Sequence, residues 1–93
     1  MTATRLTRRL LIVNRKGLHA RASAKFVETV ERFDAAAAVS RDGLTVEGGS
    51  IMGLLMLAAA QGAEIDVETR GREAEALLDA LSALVAGRFG EET

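Results

Sequence analysis

From Ala63 to Thr69 the chain alternates strictly between small or apolar residues and acids. Ala63, Ile65, Val67 and Thr69 fall on one side, and Glu64, Asp66 and Glu68 on the other. A period of two sustained over such a stretch predicts a β-strand with one dry and one wet face. A parallel sheet covered on both faces would read instead as a continuous apolar run, so this strand argues for an antiparallel sheet with one face open to water. The remaining apolar elements then have to gather on the dry side.

The rest of the chain supplies partners for that strand. Residues 1–5 read as a loose end. Leu6 to Val13 reads as a strand, with Leu10 and Ile12 on one side and Arg9, Leu11 and Val13 on the other. Asn14-Arg15-Lys16-Gly17 is a polar connecting loop. Ala35–Ala38, four alanines in a row, favour helix by propensity. Asp42-Gly43 nevertheless follows, and Asp-Gly suits a type I′ turn, which needs positive φ at both central positions. Ala35–Arg41 and Leu44–Glu47 are therefore expected to form a hairpin, ended by Gly48-Gly49.

Helical periods fill the gaps. From Ala20, the residues Ala20, Ala24, Val27 and Val30 predict one helical face, with Phe26, Val30 and Phe33 beside it. Ser50 starts a second helix, expected to run to Gln61 with Gly62 as a left-handed cap. Glu73 to Ala86 carries a stripe of Ala74, Leu77, Leu78, Leu81, Leu84 and Val85, with Glu73 and Glu75 in its first turn, where the dipole favours acids. It ends either at Gly87 or at Phe89 before Gly90. Arg70-Gly71-Arg72 turns the chain into it. The order is β-α-β-β-α-β-α: one α+β domain over residues 1–93, an antiparallel sheet with three helices on one face.

Composition removes several function classes. The chain has no Cys and one His, which excludes disulfides, thiol chemistry and multi-histidine metal sites. It lacks Trp and Tyr and has three Phe, so aromatic platforms for single-stranded nucleic acid are absent. No apolar run reaches the ~18 residues of a membrane span and no signal-peptide pattern opens the chain, so a cytoplasmic location is expected. Net charge is −1, but residues 1–25 hold seven basic residues and no acid. A local positive field suits a phosphate group or an acidic protein partner; Arg5, Arg8 and Arg9 read as solvated strand-edge charge.

That positive field surrounds His19, just ahead of the first helix. The N–H groups of a helix start lack partners, and the dipole there is positive, which favours an anion such as phosphate. Imidazole is nucleophilic at neutral pH without an activating base. Arg21, with Lys16 and Lys25 close by, can hold the peripheral oxygens of a phosphoryl group. A cation placed against the dipole makes sense if an anion visits. No His, Cys or carboxylate lies near His19 in sequence, Glu91 and Glu92 being distant. The visible machinery to activate water is therefore missing, and a group carrier is favoured over a hydrolase.

Two further features stand out. Ser50 is a good N-cap and also a residue whose phosphorylation at a helix start would be electrostatically welcome. The helix behind it is apolar on every side, so some of Ile51, Met52, Leu55 and Met56 should be exposed. Such a Met- and Leu-rich patch suits a partner surface; deeper packing or a dimer contact are the alternatives.

Gly17-Leu18-His19-Ala20-Arg21 and Ser50-Ile51-Met52-Gly53-Leu54 resemble the two signatures of the HPr family, the histidine-containing phosphocarriers of the bacterial phosphoenolpyruvate-dependent phosphotransferase system. The resemblance runs from about Leu10 to Phe89 and takes in Phe26, the Asp42-Gly43 turn and the leucine-rich last helix. It implies an open-faced sandwich with a four-stranded sheet in the order 1-4-2-3. It implies a monomeric carrier, not an independent catalyst, with no cofactor, metal or nucleic acid. His19 would accept the phosphoryl group through Nδ1, with Arg21 as supporting cation. Enzyme I would be the donor and enzyme IIA domains the acceptors. Ser50 matches a regulatory serine modified by a kinase/phosphorylase, and Ile51, Met52 and Leu55 match the docking patch. The sequence departs from the pattern at Ala22, where proline is usual, and at Gly48-Gly49, where a basic residue often precedes the serine. Its end extends as Gly90-Glu91-Glu92-Thr93, so no terminal carboxylate is carried over to the site. The runner-up function is a regulatory binding module of the nitrogen-related branch acting through the apolar helix patch; a small phosphohydrolase comes third.

Overall fold

The computed structural model describes residues 5–93. The loose end expected for residues 1–5 falls outside them except for Arg5, which opens the first strand. The elements are β1 (Arg5–Leu11), α1 (Ala20–Glu31), β2 (Ala36–Arg41), β3 (Leu44–Glu47), α2 (Ile51–Met56), β4 (Glu64–Arg70) and α3 (Ala74–Ala86), followed by a short 3₁₀ turn over Arg88–Gly90. The strands form one antiparallel sheet in the order β1-β4-β2-β3.

Register follows from the alternation in β4. Leu10 pairs with Ile65 and Val39 with Val67, so the dry residues of three strands share one face. That face packs on Phe26 from α1, Leu54 from α2, and Leu77, Leu81 and Val85 from α3, all buried in one core. The opposite face is wet: Arg9 bonds Asp66 (2.9 Å) and Arg5 lies 3.7 Å from Glu68. Arg8 is an exposed charge on an edge strand, as expected. It points to the helix side, where Nη1 donates to Ser82 Oγ (2.8 Å) and Asp79 Oδ1 (3.2 Å). A charge on the edge strand also discourages another chain from pairing with it.

The Asp42-Gly43 turn has the expected positive φ at both residues, 51° and 83°. It overrides the alanine run, and Ala37 and Val39 are buried strand residues. In α1 the buried stripe is Ala22, Ser23, Phe26, Val27, Thr29 and Val30, whereas Ala20 is exposed. The buried face is thus rotated from the predicted one at its N-terminal end, because the buried small residues there are Ala22 and Ser23.

The second helix is half the expected length. It stops at Met56, and Ala58 takes φ 50°. Leu57 and Ala59 are both buried, yet two residues apart they would point to opposite sides of a continuing helix. Unwinding turns both inward. Arg41 Nη1 donates to Leu57 O (3.0 Å), and Leu18 N–H donates to Ala59 O (2.9 Å), so the released carbonyls find partners. Gly62 lies in the turn into β4, where its N–H donates to Ile12 O (2.8 Å), and caps no helix. α3 ends at Ala86; Gly87 has φ −84°, and the reversal is made after it.

Candidate functional site

His19 sits at the N-cap of α1 in extended conformation (φ −76°, ψ −177°). Its carbonyl takes the first helical bond, from Ser23 N–H (2.8 Å), but its side chain does not cap the helix. The N–H groups of Ala20, Arg21 and Ala22 precede that bond and have no intrahelical acceptor. No acid stands in the first turn of α1 to neutralise them. The imidazole is thereby left to face an open cleft of about 630 Å³ lined by Lys16, Ala20, Arg21, Lys25 and the chain's last four residues.

The loop that delivers His19 is pinned from behind. Gly17 has φ +67°, and a Cβ there would stand 2.6 Å from Ala59 O and 2.9 Å from Ala60 Cα. Only glycine allows the loop to approach the α2–β4 connection this closely. Leu18 is buried behind it. Ser23 Oγ donates to Leu18 O (3.2 Å), which ties the loop to α1.

Lys16, Arg21 and Lys25 meet at the cleft. Lys25 Nζ donates to Phe89 O (2.6 Å). Arg21 is exposed, and no carboxylate lies within ion-pair distance of it among the described residues. This is the arrangement expected for a cation whose partner arrives from solution.

The remaining wall is the chain's end, which the sequence alone places far from His19. Arg88, Phe89 and Gly90 have φ of 59°, 55° and 81°, three successive left-handed residues that fold the tail back. Two are not glycine, at a cost of about 1 kcal/mol or more each. Phe89, 1% exposed, is buried in the core and holds the bend. Arg15 N–H then donates to Thr93 O (2.9 Å).

As a result, Glu91 Oε2 lies 2.5 Å from His19 Nε2, 72 residues away in sequence. Its other oxygen, Oε1, accepts from Asn14 Nδ2 (3.0 Å), which also donates to Gly17 O (2.8 Å). The hydrogen bond with His19 holds the Glu91 carboxyl below the usual carboxylate value, with help from Asn14 and from the charge of Lys16, and against partial burial. No carboxylate lies near His19 in sequence, but the inference that none serves the ring is corrected: the distant Glu91 brings a side-chain carboxylate to it where no terminal one was carried over. Asn14 reads from sequence as part of a polar loop, and only its lone amide beside a strand end hints otherwise.

Ser50 is the N-cap of α2, and its Oγ accepts from Gly53 N–H (3.0 Å). Ile51 is 40% exposed, Met52 70% and Met56 66%, while Leu55 is half-buried and Leu54 fully buried. The helix thus shows an apolar outer face, as its all-round hydrophobicity required. The connection after it carries Ala59 and Ala60, against which Gly17 rests, so patch and histidine loop share one framework. Among the described residues there is no cluster of three or more metal-ligating side chains, and no helix is long and apolar enough to cross a membrane.

Comparison with known proteins gives a consistent result. The family model of the PTS HPr component phosphorylation site matches residues 6–87. The phosphocarrier protein HPr of Cupriavidus necator is 46% identical over 86 residues, covering 92% of this chain and 97% of that one. A phosphocarrier protein NPr from Shewanella violacea is 39% identical over 88 residues, 95% of this chain and 97% of its own. The crystal structure of HPr from Thermoanaerobacter tengcongensis superposes with a TM-score of 0.90 at 35% identity, covering 95% of this chain and 99% of that one.

Proposed function

The chain belongs to the HPr family of phosphotransferase-system phosphocarriers, and from that premise we propose that His19 is its phosphoryl acceptor. The phosphoryl group comes from phosphorylated enzyme I and passes on to enzyme IIA domains in the cytoplasm. The observation that carries this reading is the position of the imidazole. It stands at a helix start whose N–H groups are unpartnered, in a cleft with the uncommitted guanidinium of Arg21. Those donors suit the oxygens of a phosphoryl group, and the exposed rim lets two large partners reach the same nitrogen in turn. The protein is the carrier and its partners supply the rest of the chemistry, so no independent turnover is expected. It acts as a monomer without cofactor or metal.

The outer face of α2 supports docking. Ile51, Met52 and Leu55 present flexible apolar contacts of the kind that serve several partners. Ser50 stands at the edge of that face, and phosphate on its Oγ would place charge beside the patch. A kinase/phosphorylase acting there would weaken docking with enzyme I.

The test is incubation with phosphoenolpyruvate and enzyme I, followed by a search for an acid-labile, base-stable phosphoryl group. The wild type is labelled and His19→Ala is not; equal labelling of both ends the proposal. Arg21→Ala slows transfer, and unchanged kinetics would remove Arg21 from the site. The similarity to an NPr supports a second reading, in which the acceptor belongs to the nitrogen-related branch and the apolar face does the main work. Partner binding indifferent to His19 phosphorylation is its signature, and a panel of acceptors from both branches separates the two.

A further inference from the structure

We propose that Asn14 and Glu91 are positioning residues that set the tautomer of His19, leaving Nδ1 as the nitrogen with a free lone pair. The proposal rests on His19 being the phosphoryl acceptor and goes beyond it by assigning what selects the nitrogen.

A neutral imidazole has one N–H, and the partner of one nitrogen decides which carries it. An ionised carboxylate only accepts. With Glu91 Oε2 at 2.5 Å, Nε2 therefore holds the hydrogen and donates it. The alternative, a protonated Glu91 donating to Nε2, is disfavoured because Oε1 already accepts from Asn14 Nδ2 (3.0 Å) and the Lys16 charge lies close by, both of which favour the ionised carboxylate independently of the ring. Nδ1 is then the unprotonated nitrogen.

Glu91 is itself held by the body of the fold. Asn14 is completely buried, and its amide nitrogen spans Gly17 O and Glu91 Oε1. The same amide thus fixes the loop that presents the histidine and the carboxylate that orients it. Phe89, buried in the core, and Lys25, bonded to the Phe89 carbonyl, secure the bend that brings Glu91 in. Oδ1 of Asn14 is buried without a hydrogen-bond partner among the described residues. Such an orphan is a cost, offset by what the amide nitrogen holds in place.

The chemistry follows without a proton transfer. The Nδ1 lone pair forms the N–P bond while the bond from phosphorus to the donor breaks, its electron pair leaving with the donor. The ring then carries phosphorus on Nδ1 and hydrogen on Nε2, and is positively charged. Glu91 faces that charge through a charge-assisted hydrogen bond. Onward transfer reverses the flow: the N–P bond breaks, its pair returns to Nδ1 and the ring is neutral again.

The test exploits the single histidine. In the full chain labelled with ¹⁵N-histidine, the two ring nitrogens are the only labelled side-chain nitrogens, and their shifts report the tautomer at a pH where the ring is neutral. The wild type shows hydrogen on Nε2, and phosphate attached at Nδ1 after reaction with phosphorylated enzyme I. Glu91→Gln, on the surface tail, gives mixed or inverted tautomers and slower phosphoryl acceptance. The loss is roughly 10- to 100-fold, the range met when a partner orienting a functional histidine is removed. Asn14→Leu moves both readouts in the same direction and less far. Hydrogen on Nδ1 in the wild type overturns the proposal, as does a Glu91→Gln variant with unchanged ring shifts and rate. Failure of the wild type to take phosphate at all would refute the carrier reading instead, and the tautomer measurement would still decide the role of Glu91.

Discussion

Gly17→Ala is the substitution that most directly tests how the histidine loop is held. The residue has φ +67°, and its new Cβ would meet Ala59 O at 2.6 Å and Ala60 Cα at 2.9 Å. The left-handed conformation alone costs an alanine about 1–2 kcal/mol. The clash adds to this, because both contacted atoms are backbone and Ala59 O is already the acceptor for Leu18 N–H. Overpacking of that kind typically costs about 1–3 kcal/mol, so a total loss of about 2–5 kcal/mol is expected. For a domain of this size that corresponds to a fall in Tm of roughly 10–30 °C. Gly43→Ala is the matched control: φ is +83°, but nothing lies within 4 Å of the added Cβ. It should lose only the conformational part, about 1–2 kcal/mol. Urea unfolding followed by circular dichroism, with the slope m unchanged, measures both. If the two variants agree within about 0.5 kcal/mol, the loop is not wedged against the α2–β4 connection and the reasoning is wrong.

Ser50→Ala removes the acceptor for Gly53 N–H and should cost about 1 kcal/mol in urea unfolding, while Ser50→Asp restores the cap. Glu91 is held below the ordinary carboxylate value of 4.5. The stability it contributes is therefore fully present above that value and lost as pH falls through the depressed one. NMR of the tail should show Glu91 and Phe89 signals changing in that window, and Glu91→Gln should abolish the step. Arg72→Ala breaks an exposed pair with Asp34 (2.8 Å) and should leave the urea-unfolding midpoint nearly unchanged, with any difference shrinking further at high salt.

Most of the fold was legible because its signals are local. Strict alternation in residues 63–69 decides strand and face together, since side chains of a strand point in turn to each side. Asp42-Gly43 decides a hairpin because few dipeptides accept two successive positive φ values. The strand order came with the resemblance, and the comparisons agree with it. The length of α2 was not legible. Leu57-Ala58-Ala59-Ala60 is good helix sequence by propensity, and only the burial of Leu57 and Ala59 together stops it.

The site divides along the same line. A nucleophile at a bare helix start, with cations within a few residues, is a matter of sequence neighbours, so His19, Arg21 and Lys25 could be read from the chain. The carboxylate could not. Glu91 reaches His19 through a bend in which Arg88 and Phe89 take backbone conformations that neither residue prefers. That bend exists because the core buries Phe89, and because Lys25 and Asn14, remote in sequence, bond the Phe89 carbonyl and the Glu91 carboxylate. The chain alone determined that a phosphate-friendly imidazole would stand at the start of the first helix. Only packing, which overrides local preference where enough apolar surface and enough donors converge, decided which nitrogen of that imidazole faces a carboxylate.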